Sequence, residues 1–139
     1  MVTIRTVVRF EAGHRQLGDL GTCGSQHGHN WKAEVLVSGT VTNPLGYLVD
    51  FKDIDDTIKP FDHAVILNEK DPLAGMLDKW GQKVCTIRGN PTCEVLAEGM
   101  VSMIRSYCVG HDLIITGIRV VLWENDDSYA RVTWGKMEE

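Results

Sequence analysis

Two histidines stand two residues apart in the run CGSQHGH at residues 23–29. On an extended strand, residues i and i+2 point to the same face, so the imidazoles of His27 and His29 can coordinate one metal ion. His14 follows another strand-like run and can supply a third nitrogen once the two strands pair. Three histidines leave a fourth coordination position open, as in catalytic zinc sites, whereas structural zinc usually has four protein ligands. The sequence therefore predicts an open zinc site, although three imidazoles also suit nickel or iron.

A thiol stands just before the histidine pair. Cys23 precedes His27 by four residues. A nearby cation favours the thiolate over the thiol, so we interpret Cys23 as a nucleophile or base beside the metal. The other cysteines have no such neighbours: Cys93 and Cys108 fall within a helical pattern and Cys85 in an expected loop. We interpret these three as small buried residues without a chemical role.

Alternating apolar residues mark the strands that must position these groups. Residues 2–10 alternate, and this first strand is expected to end near Glu11. Residues 31–37 alternate in the same way, which places the histidine pair at the beginning of the second strand. Residues 114–122 and 129–134 predict a third and a fourth strand, joined by a turn at residues 125–128.

Two helices are expected between the strand pairs. Asp50 is a suitable N-cap, and apolar residues follow it at the three- and four-residue spacing of one helix face: Phe51, Ile54, Ile58 and Phe61. Asp62 and His63 are expected to lie at the end of this helix. A second helix is expected to begin at Asn90 as cap and Pro91 as first residue, with an apolar stripe of Leu96, Met100, Met103, Ile104 and Tyr107. The intervening residues 69–89 predict a loop, with room for a helical turn at 76–80.

The predicted element order is ββααββ. This order is typical of an α+β fold in which a four-stranded antiparallel sheet carries two helices on one face. The length of 139 residues favours a single domain over residues 1–139. The net charge of −5 argues against nucleic acid as a partner. Because no apolar run approaches about 20 residues and no signal pattern opens the chain, we expect a cytoplasmic protein without membrane contact.

Several motifs, in this order along the chain, resemble those of the 6-pyruvoyl-tetrahydropterin synthase superfamily. They are FEAGHR at 10–15, CGSQHGHNW at 23–31, Gly46 with Asp50 and Phe51, Asp62-His63 with Leu67-Asn68, PTCE at 91–94, and Glu124. Three residues separate Cys23 from His27. This spacing resembles that of the 6-carboxy-5,6,7,8-tetrahydropterin synthase branch, whereas the pyruvoyl-forming branch typically has a longer gap.

The resemblance implies a tunnelling fold, zinc on His14, His27 and His29, and 7,8-dihydroneopterin triphosphate as the substrate. It also implies a homo-oligomer, a trimer or hexamer, in which the sheets of neighbouring subunits join into a barrel and the active sites lie at subunit interfaces. Pairing of sheet edges between subunits would remove the exposed edges of a small open sheet.

The resemblance further implies a proton relay of Cys23, Asp62 and His63. Glu124 is expected to accept hydrogen bonds from the pterin amino and ring N–H groups, or else to join the relay. Thr92 and Glu94 are weaker candidates for pterin contacts. Without the motifs, Asp62-His63 would also suit a helix C-terminus, and Glu94 the first turn of a helix.

Three functions are compatible with these motifs. The first is formation of 6-carboxy-5,6,7,8-tetrahydropterin with release of acetaldehyde and triphosphate, a step of 7-deazaguanine (queuosine) biosynthesis. The second is a related lyase reaction that forms pyruvoyl-tetrahydropterin or cleaves dihydroneopterin. The third is a non-enzymatic pterin- or metal-binding module, which has no need of a thiol beside the metal. The sequence does not rank the basic residues, Arg15 among them, that would meet a triphosphate.

Overall fold

The computed structural model describes residues 1–138, which form one sheet and three helices. The strands are β1 (Val2–His14), β2 (His27–Thr40), β3 (Ala64–Asn68), β4 (Val84–Ile87), β5 (Ile114–Trp123) and β6 (Tyr129–Gly135), and the helices are α1 (Phe51–Ile58), α2 (Pro72–Lys79) and α3 (Cys93–Gly110). Short 3-10 turns occupy Thr22–Gly24 and Lys59–Phe61. None of these helices has the length and apolar character needed to cross a membrane.

The sheet has six strands in the order β4-β3-β1-β2-β5-β6. The α+β class is confirmed, and β1, β2, β5 and β6 pair antiparallel as expected. The prediction of four strands and two helices is wrong, because β3 and β4 extend the sheet parallel to β1 and α2 connects them. The interpretation of residues 69–89 as a loop fails for the same reason, and Cys85 lies in β4.

The hydrophobic core lies on one face of the sheet, beneath α1 and α3. The alternation seen in the sequence places Phe10 of β1, Trp31 of β2 and Leu122 of β5 on this face, each buried. α1 contributes Ile54 and Ile58 and begins at the predicted cap, Asp50, whose carboxylate accepts a hydrogen bond from Lys52 N at 2.9 Å. Burial of these apolar side chains, at roughly 25 cal/mol per Å², is the main force that holds the helices on the sheet.

One predicted core residue lies outside this core. The side chain of Phe51 is 52% exposed, although it shares the helical spacing of Ile54 and Ile58. It begins α1 and lines a surface groove together with Tyr47 and Leu48. Phe51 lies on the helical face that the spacing predicts. As the first residue of α1, however, it lies beyond the part of this face that packs on the core.

The cap of α3 differs from the expected one. Thr92 rather than Asn90 is the N-cap, and its hydroxyl accepts a hydrogen bond from Val95 N at 3.2 Å. Asn90 instead joins three segments: its Oδ1 accepts from Leu17 N and from Asn68 Nδ2, both at 3.0 Å, and its Nδ2 donates to Leu17 O at 3.0 Å. Asn90 therefore fastens the loop after β1 to the end of β3.

Candidate metal centre and adjoining cleft

The pairing of β1 with β2 brings three histidines together. β1 continues past its expected end at Glu11 to His14, and β2 begins at His27. His14 and His27 are direct cross-strand partners, and Ala12 is the partner of His29. The metal-binding atoms of the three histidines all lie within 4.8 Å of one another. The antiparallel register thus produces the cluster that the sequence spacing indicates.

Backbone carbonyls fix the orientation of two of the rings. His14 Nδ1 lies 2.8 Å from Pro91 O, and His27 Nδ1 lies 2.7 Å from Ser25 O. A carbonyl can only accept, so each Nδ1 carries the hydrogen and each neutral ring leaves Nε2 unprotonated. Burial lowers the pKa of His14, which favours the neutral ring. Carbonyl-anchored imidazoles with a free Nε2 are the usual form of histidine ligands to metals.

The free nitrogens face each other at short range. His14 Nε2 and His27 Nε2 are 3.1 Å apart, close to the roughly 3.3 Å that separates two ligand atoms of a tetrahedral zinc ion. Two lone pairs at this distance repel unless a proton or a cation lies between them. A metal ion fits this arrangement.

The third ring provides an independent indication of a metal. His29 Nε2 is buried and has no hydrogen-bond partner among residues 1–138. Burial also lowers the pKa of His29. A buried polar atom without a partner carries a cost of about 1–3 kcal/mol, which coordination of an ion would remove. The three histidines therefore fit a metal ion, by the spacing of their nitrogens and by the lack of another partner for His29 Nε2.

Asp62 and His63 form a second pair beside Glu11 of β1. Asp62 Oδ1 accepts a hydrogen bond from Glu11 N at 2.9 Å and lies 3.0 Å from His63 Nδ1. The bond from Glu11 N, as the largest cause, lowers the pKa of Asp62. His63 adopts a left-handed φ of 57°, which is costly for a residue with a Cβ, and its N–H donates to Glu11 O at 2.6 Å. The strand backbone thus holds both residues, and Asp62 orients the imidazole.

An open cleft of about 700 Å³ joins the two groups of residues. Its lining includes His29 of the histidine cluster, His63 of the second pair, and Glu124, which directly follows β5. Glu124 Oε1 lies 3.4 Å from His14 Nε2 and 3.5 Å from His29 Nε2. The volume suits a small organic molecule. Three of the predicted site residues therefore share one cleft.

The remaining predicted site residues lie outside this cleft. Cys23 is partly buried in the turn Thr22–Gly24, and its carbonyl accepts a hydrogen bond from Gln16 N at 2.8 Å. Thr92 caps α3 through its hydroxyl. Glu94 is exposed in the first turn of α3, where a negative charge interacts favourably with the helix dipole. Within one subunit, over residues 1–138, the side chains of Cys23, Thr92 and Glu94 are not brought against His63.

Two features of the site were not predicted from the sequence. Gln82 and Lys83, just before β4, line the cleft, and Lys83 Nζ donates to Asp62 O at 2.8 Å. The sequence signal for them is the short apolar run VCTI of β4 directly after Lys83, within the segment for which the sequence predicts a loop. Arg15, a candidate for triphosphate binding, donates from Nε to Asp71 Oδ2 at 2.6 Å and so helps to hold the start of α2.

Comparison with known proteins agrees with this architecture. The family model for 6-pyruvoyl tetrahydropterin synthase matches residues 3–134. The 6-carboxy-5,6,7,8-tetrahydropterin synthase of Rickettsia felis is 29% identical over 95% of this chain and 100% of that protein. The one from Rickettsia bellii is 36% identical over 70% of this chain and 75% of that protein.

Solved structures share the fold at lower identity. The crystal structure of 6-pyruvoyl tetrahydropterin synthase from Plasmodium vivax has a TM-score of 0.68 at 15% identity, covering 98% of this chain and 100% of that one. At this identity the likeness concerns the fold alone. The family predicted from the motifs is confirmed by the match over residues 3–134. This chain belongs to the 6-pyruvoyl tetrahydropterin synthase family.

Proposed function

We propose that this protein is a lyase that converts 7,8-dihydroneopterin triphosphate to 6-carboxy-5,6,7,8-tetrahydropterin, with release of acetaldehyde and triphosphate. The observation that carries the proposal is the cluster of His14, His27 and His29 next to a cleft that also contains His63 and Glu124. The names of the Rickettsia relatives support this product over the pyruvoylpterin. The reaction would feed 7-deazaguanine (queuosine) biosynthesis.

We infer that the three histidines hold zinc. When bound, zinc would act as a Lewis acid on the side-chain oxygens of the substrate and stabilise negative charge that develops there. Pro91 O and Ser25 O keep the rings of His14 and His27 in the tautomer that presents Nε2. The cleft on the open side of the cluster gives the substrate access.

Proton transfer is assigned to Cys23, His63 and Asp62. Cys23, as thiolate, is the proposed base that removes a proton from a side-chain carbon of the substrate. Asp62 accepts from His63 Nδ1, which leaves Nε2 of that ring free to take up and return a proton. The side chain of His63 is 74% exposed, so it is accessible to a substrate in the cleft.

Recognition of the pterin is assigned first to Glu124. Its carboxylate opens onto the cleft and can accept from the amino and ring N–H groups of the pterin as a bidentate pair. Participation of Glu124 in the proton relay is the alternative. Thr92 and Glu94 stay lesser candidates, because the hydroxyl of Thr92 already caps α3 and Glu94 is exposed on its first turn.

We propose that the protein works as a homo-oligomer, a trimer or hexamer. β4 and β6 form the two edges of the sheet, and their backbone groups are available to pair with a neighbouring copy. Active sites at the interfaces would explain why one subunit does not place Cys23 or Glu94 in the cleft. Closure of the sheets of several subunits into a barrel would follow from such edge pairing.

Product identification tests the proposed reaction. Zinc-loaded protein is incubated with 7,8-dihydroneopterin triphosphate, and the pterin products are identified by mass spectrometry. The 6-carboxytetrahydropterin mass supports the proposal. A pyruvoyl-tetrahydropterin or hydroxymethylpterin mass assigns the protein to a related lyase reaction and contradicts the proposal. Unchanged substrate, with zinc bound, indicates a binding module.

A further inference from the structure

A second cleft adjoins the first one at His63. It has a volume of about 560 Å³ and shares five lining residues with the first cleft: Glu11, Asn30, His63, Asn125 and Asp126. A ligand in the first cleft can therefore extend into the second. We propose that the second cleft binds the triphosphate group of the substrate, with Arg9 and Lys32 as its cations. The inference rests on the proposed function, because it assigns one part of the proposed substrate.

The two cations of this cleft are direct cross-strand partners. Arg9 of β1 is paired with Lys32 of β2, and both lie on the open face of the sheet, because the next pair, Phe10 and Trp31, is buried on the core face. Side chains of such partners begin about 4.5–5.5 Å apart, and like charges in this arrangement destabilise a sheet. An anion between the two side chains is attracted to both. The pair is therefore better suited to binding an anion than to holding the strands together.

Both cations are available to a ligand. Neither forms an ion pair with a carboxylate within residues 1–138, where the arginine and lysine ion pairs are Arg5–Glu34, Arg15–Asp71 and Lys52–Asp56. Arg9 is exposed, and Lys32 Nζ lies 4.8 Å from the ring centroid of Trp123, which lines the same cleft. This cation–π contact holds the ammonium group at the cleft and keeps its charge. Arg15, by contrast, is already bound to the buried carboxylate of Asp71.

The acidic side chains give the ligand one orientation. Glu11 Oε2 and Asp62 Oδ1 lie 3.8 Å and 3.0 Å from ring nitrogens of His63, at the junction of the two clefts. Arg9 and Lys32 lie two residues further along β1 and β2 than Glu11 and its partner, which is roughly 7 Å on an extended strand. Carboxylates repel phosphate groups, so the triphosphate is expected at the end of the second cleft that Arg9 and Lys32 line.

This orientation agrees with the proposed roles in the first cleft. Glu124 lines the first cleft and does not line the second. A pterin ring bound to Glu124 would place the carbon side chain of the substrate near His63 and the histidine cluster. The triphosphate at the far end of that side chain would then reach Arg9 and Lys32. Substrate recognition is thus divided between a carboxylate in one cleft and two cations in the other.

Binding of inorganic triphosphate tests the subsite without turnover. By isothermal titration, the assembled, zinc-loaded protein should bind one triphosphate per chain. Replacement of both cations, Arg9→Gln with Lys32→Gln, should weaken binding at least about 10-fold, because one hydrogen bond to a charged group contributes about that much. Each single variant should show part of the loss. Undiminished binding by the double variant, or no binding by the unaltered protein, would overturn the inference.

Arg5→Gln is the matched control. Arg5 carries the same charge on the same face of β1, but it lines neither cleft and lies four residues from Arg9, roughly 13 Å along the strand. Because this separation exceeds the Debye length of about 8–10 Å, we expect less than about 2-fold loss of affinity. Triphosphate should also raise the unfolding temperature of the control and not that of the double variant. Equal losses in the control and the double variant would contradict a specific subsite.

Competition assigns the bound phosphates to the substrate. We expect 7,8-dihydroneopterin triphosphate to displace inorganic triphosphate from the unaltered protein, and 7,8-dihydroneopterin, which lacks the phosphates, to bind beside it. Displacement by neither compound indicates a separate anion site, and displacement by both places pterin and phosphates in one cleft. Either result overturns the inference. If the expected pattern holds but no 6-carboxytetrahydropterin forms in the product assay, the proposed function fails and the subsite stands.

Discussion

At the scale of single residues, the candidate metal centre depends on which nitrogen of each histidine carries a proton. The carbonyls of Pro91 and Ser25 take the Nδ1 hydrogens of His14 and His27 and leave the opposite nitrogens unprotonated. The motif HGH was sufficient to predict from the sequence that two histidines lie on one face of a strand, where the structure brings them together with His14. The two carbonyls that set the tautomers were not visible there, because they depend on how the segments around residues 25 and 91 fold against the strands.

Removal of a histidine should remove the metal. We expect His27→Ala and His29→Ala each to weaken zinc binding by more than about 100-fold, since loss of a direct ligand exceeds the roughly 10–100-fold effect of losing its supporting partner. Zinc content after dialysis, measured by atomic emission, provides the test. His111→Ala is the control, because His111 is exposed at the end of α3, far along the chain from the cluster. Undiminished zinc in both cluster variants would refute the ligand set.

Loss of the thiol should separate chemistry from metal binding. Cys23→Ala is expected to keep zinc, because Cys23 lies outside the histidine cluster, and to lower kcat by about 10²–10⁴-fold, the usual contribution of a positioned base. Steady-state kinetics on zinc-loaded protein give the answer. Turnover at the unaltered rate would show that Cys23 is not the base.

At the scale of elements, β3, α2 and β4 form an addition to the sheet that supplies Lys83 to the cleft. The alternating strands β1, β2, β5 and β6 were predictable, because each packs one face on the core, only partly buried in β6, and exposes the other more. β3 was not, since AVILN is a short apolar run without alternation, which does not distinguish a buried strand from a helix. The N-cap of α3 was also missed, because Asn90 and Thr92 are both good caps and only the tertiary contacts of Asn90 decide between them.

The Arg15–Asp71 pair should stabilise this addition in a pH-dependent way. The side chain of Asp71 is fully buried, and its hydrogen bond from Arg15, as the largest cause, lowers the pKa of Asp71. Asp71→Asn keeps a good cap for α2 but loses the ion pair. We expect a loss of about 2–3 kcal/mol in the free energy of unfolding at pH 7, less than the roughly 3–5 kcal/mol of a fully buried pair, because Arg15 is partly exposed.

The sign of the pH dependence follows from the lowered pKa. The stabilisation by Asp71 is fully present above its unfolded pKa of about 3.9 and is lost as the pH falls through its lower folded pKa. Urea unfolding of both proteins between about pH 7 and pH 3 should therefore show the difference shrinking only below about pH 4. Asp56→Asn, at an exposed pair with Lys52, is the control and should change little. A difference that stays constant down to pH 3 would show that the charge of Asp71 is not the cause.

At the scale of the whole molecule, the open edges at β4 and β6 and the residues left outside the cleft both indicate assembly. We expect light scattering on a sizing column to give three or six times the chain mass of 15.5 kDa. Pairing of edges between copies supplies the physical reason, since it satisfies backbone groups that one chain leaves open. A species of 15.5 kDa at micromolar concentration would contradict the interface-built active site.

We propose that the three histidines and the adjoining cleft carry out zinc-dependent release of a two-carbon aldehyde from a dihydropterin triphosphate. To test this, metal-free and zinc-reconstituted protein are incubated with 7,8-dihydroneopterin triphosphate, and acetaldehyde is quantified against 6-carboxytetrahydropterin. We expect the two products in equal amounts from the zinc-loaded protein and neither from the metal-free protein. Absence of acetaldehyde from zinc-loaded, correctly assembled protein, or equal release without zinc, would contradict it.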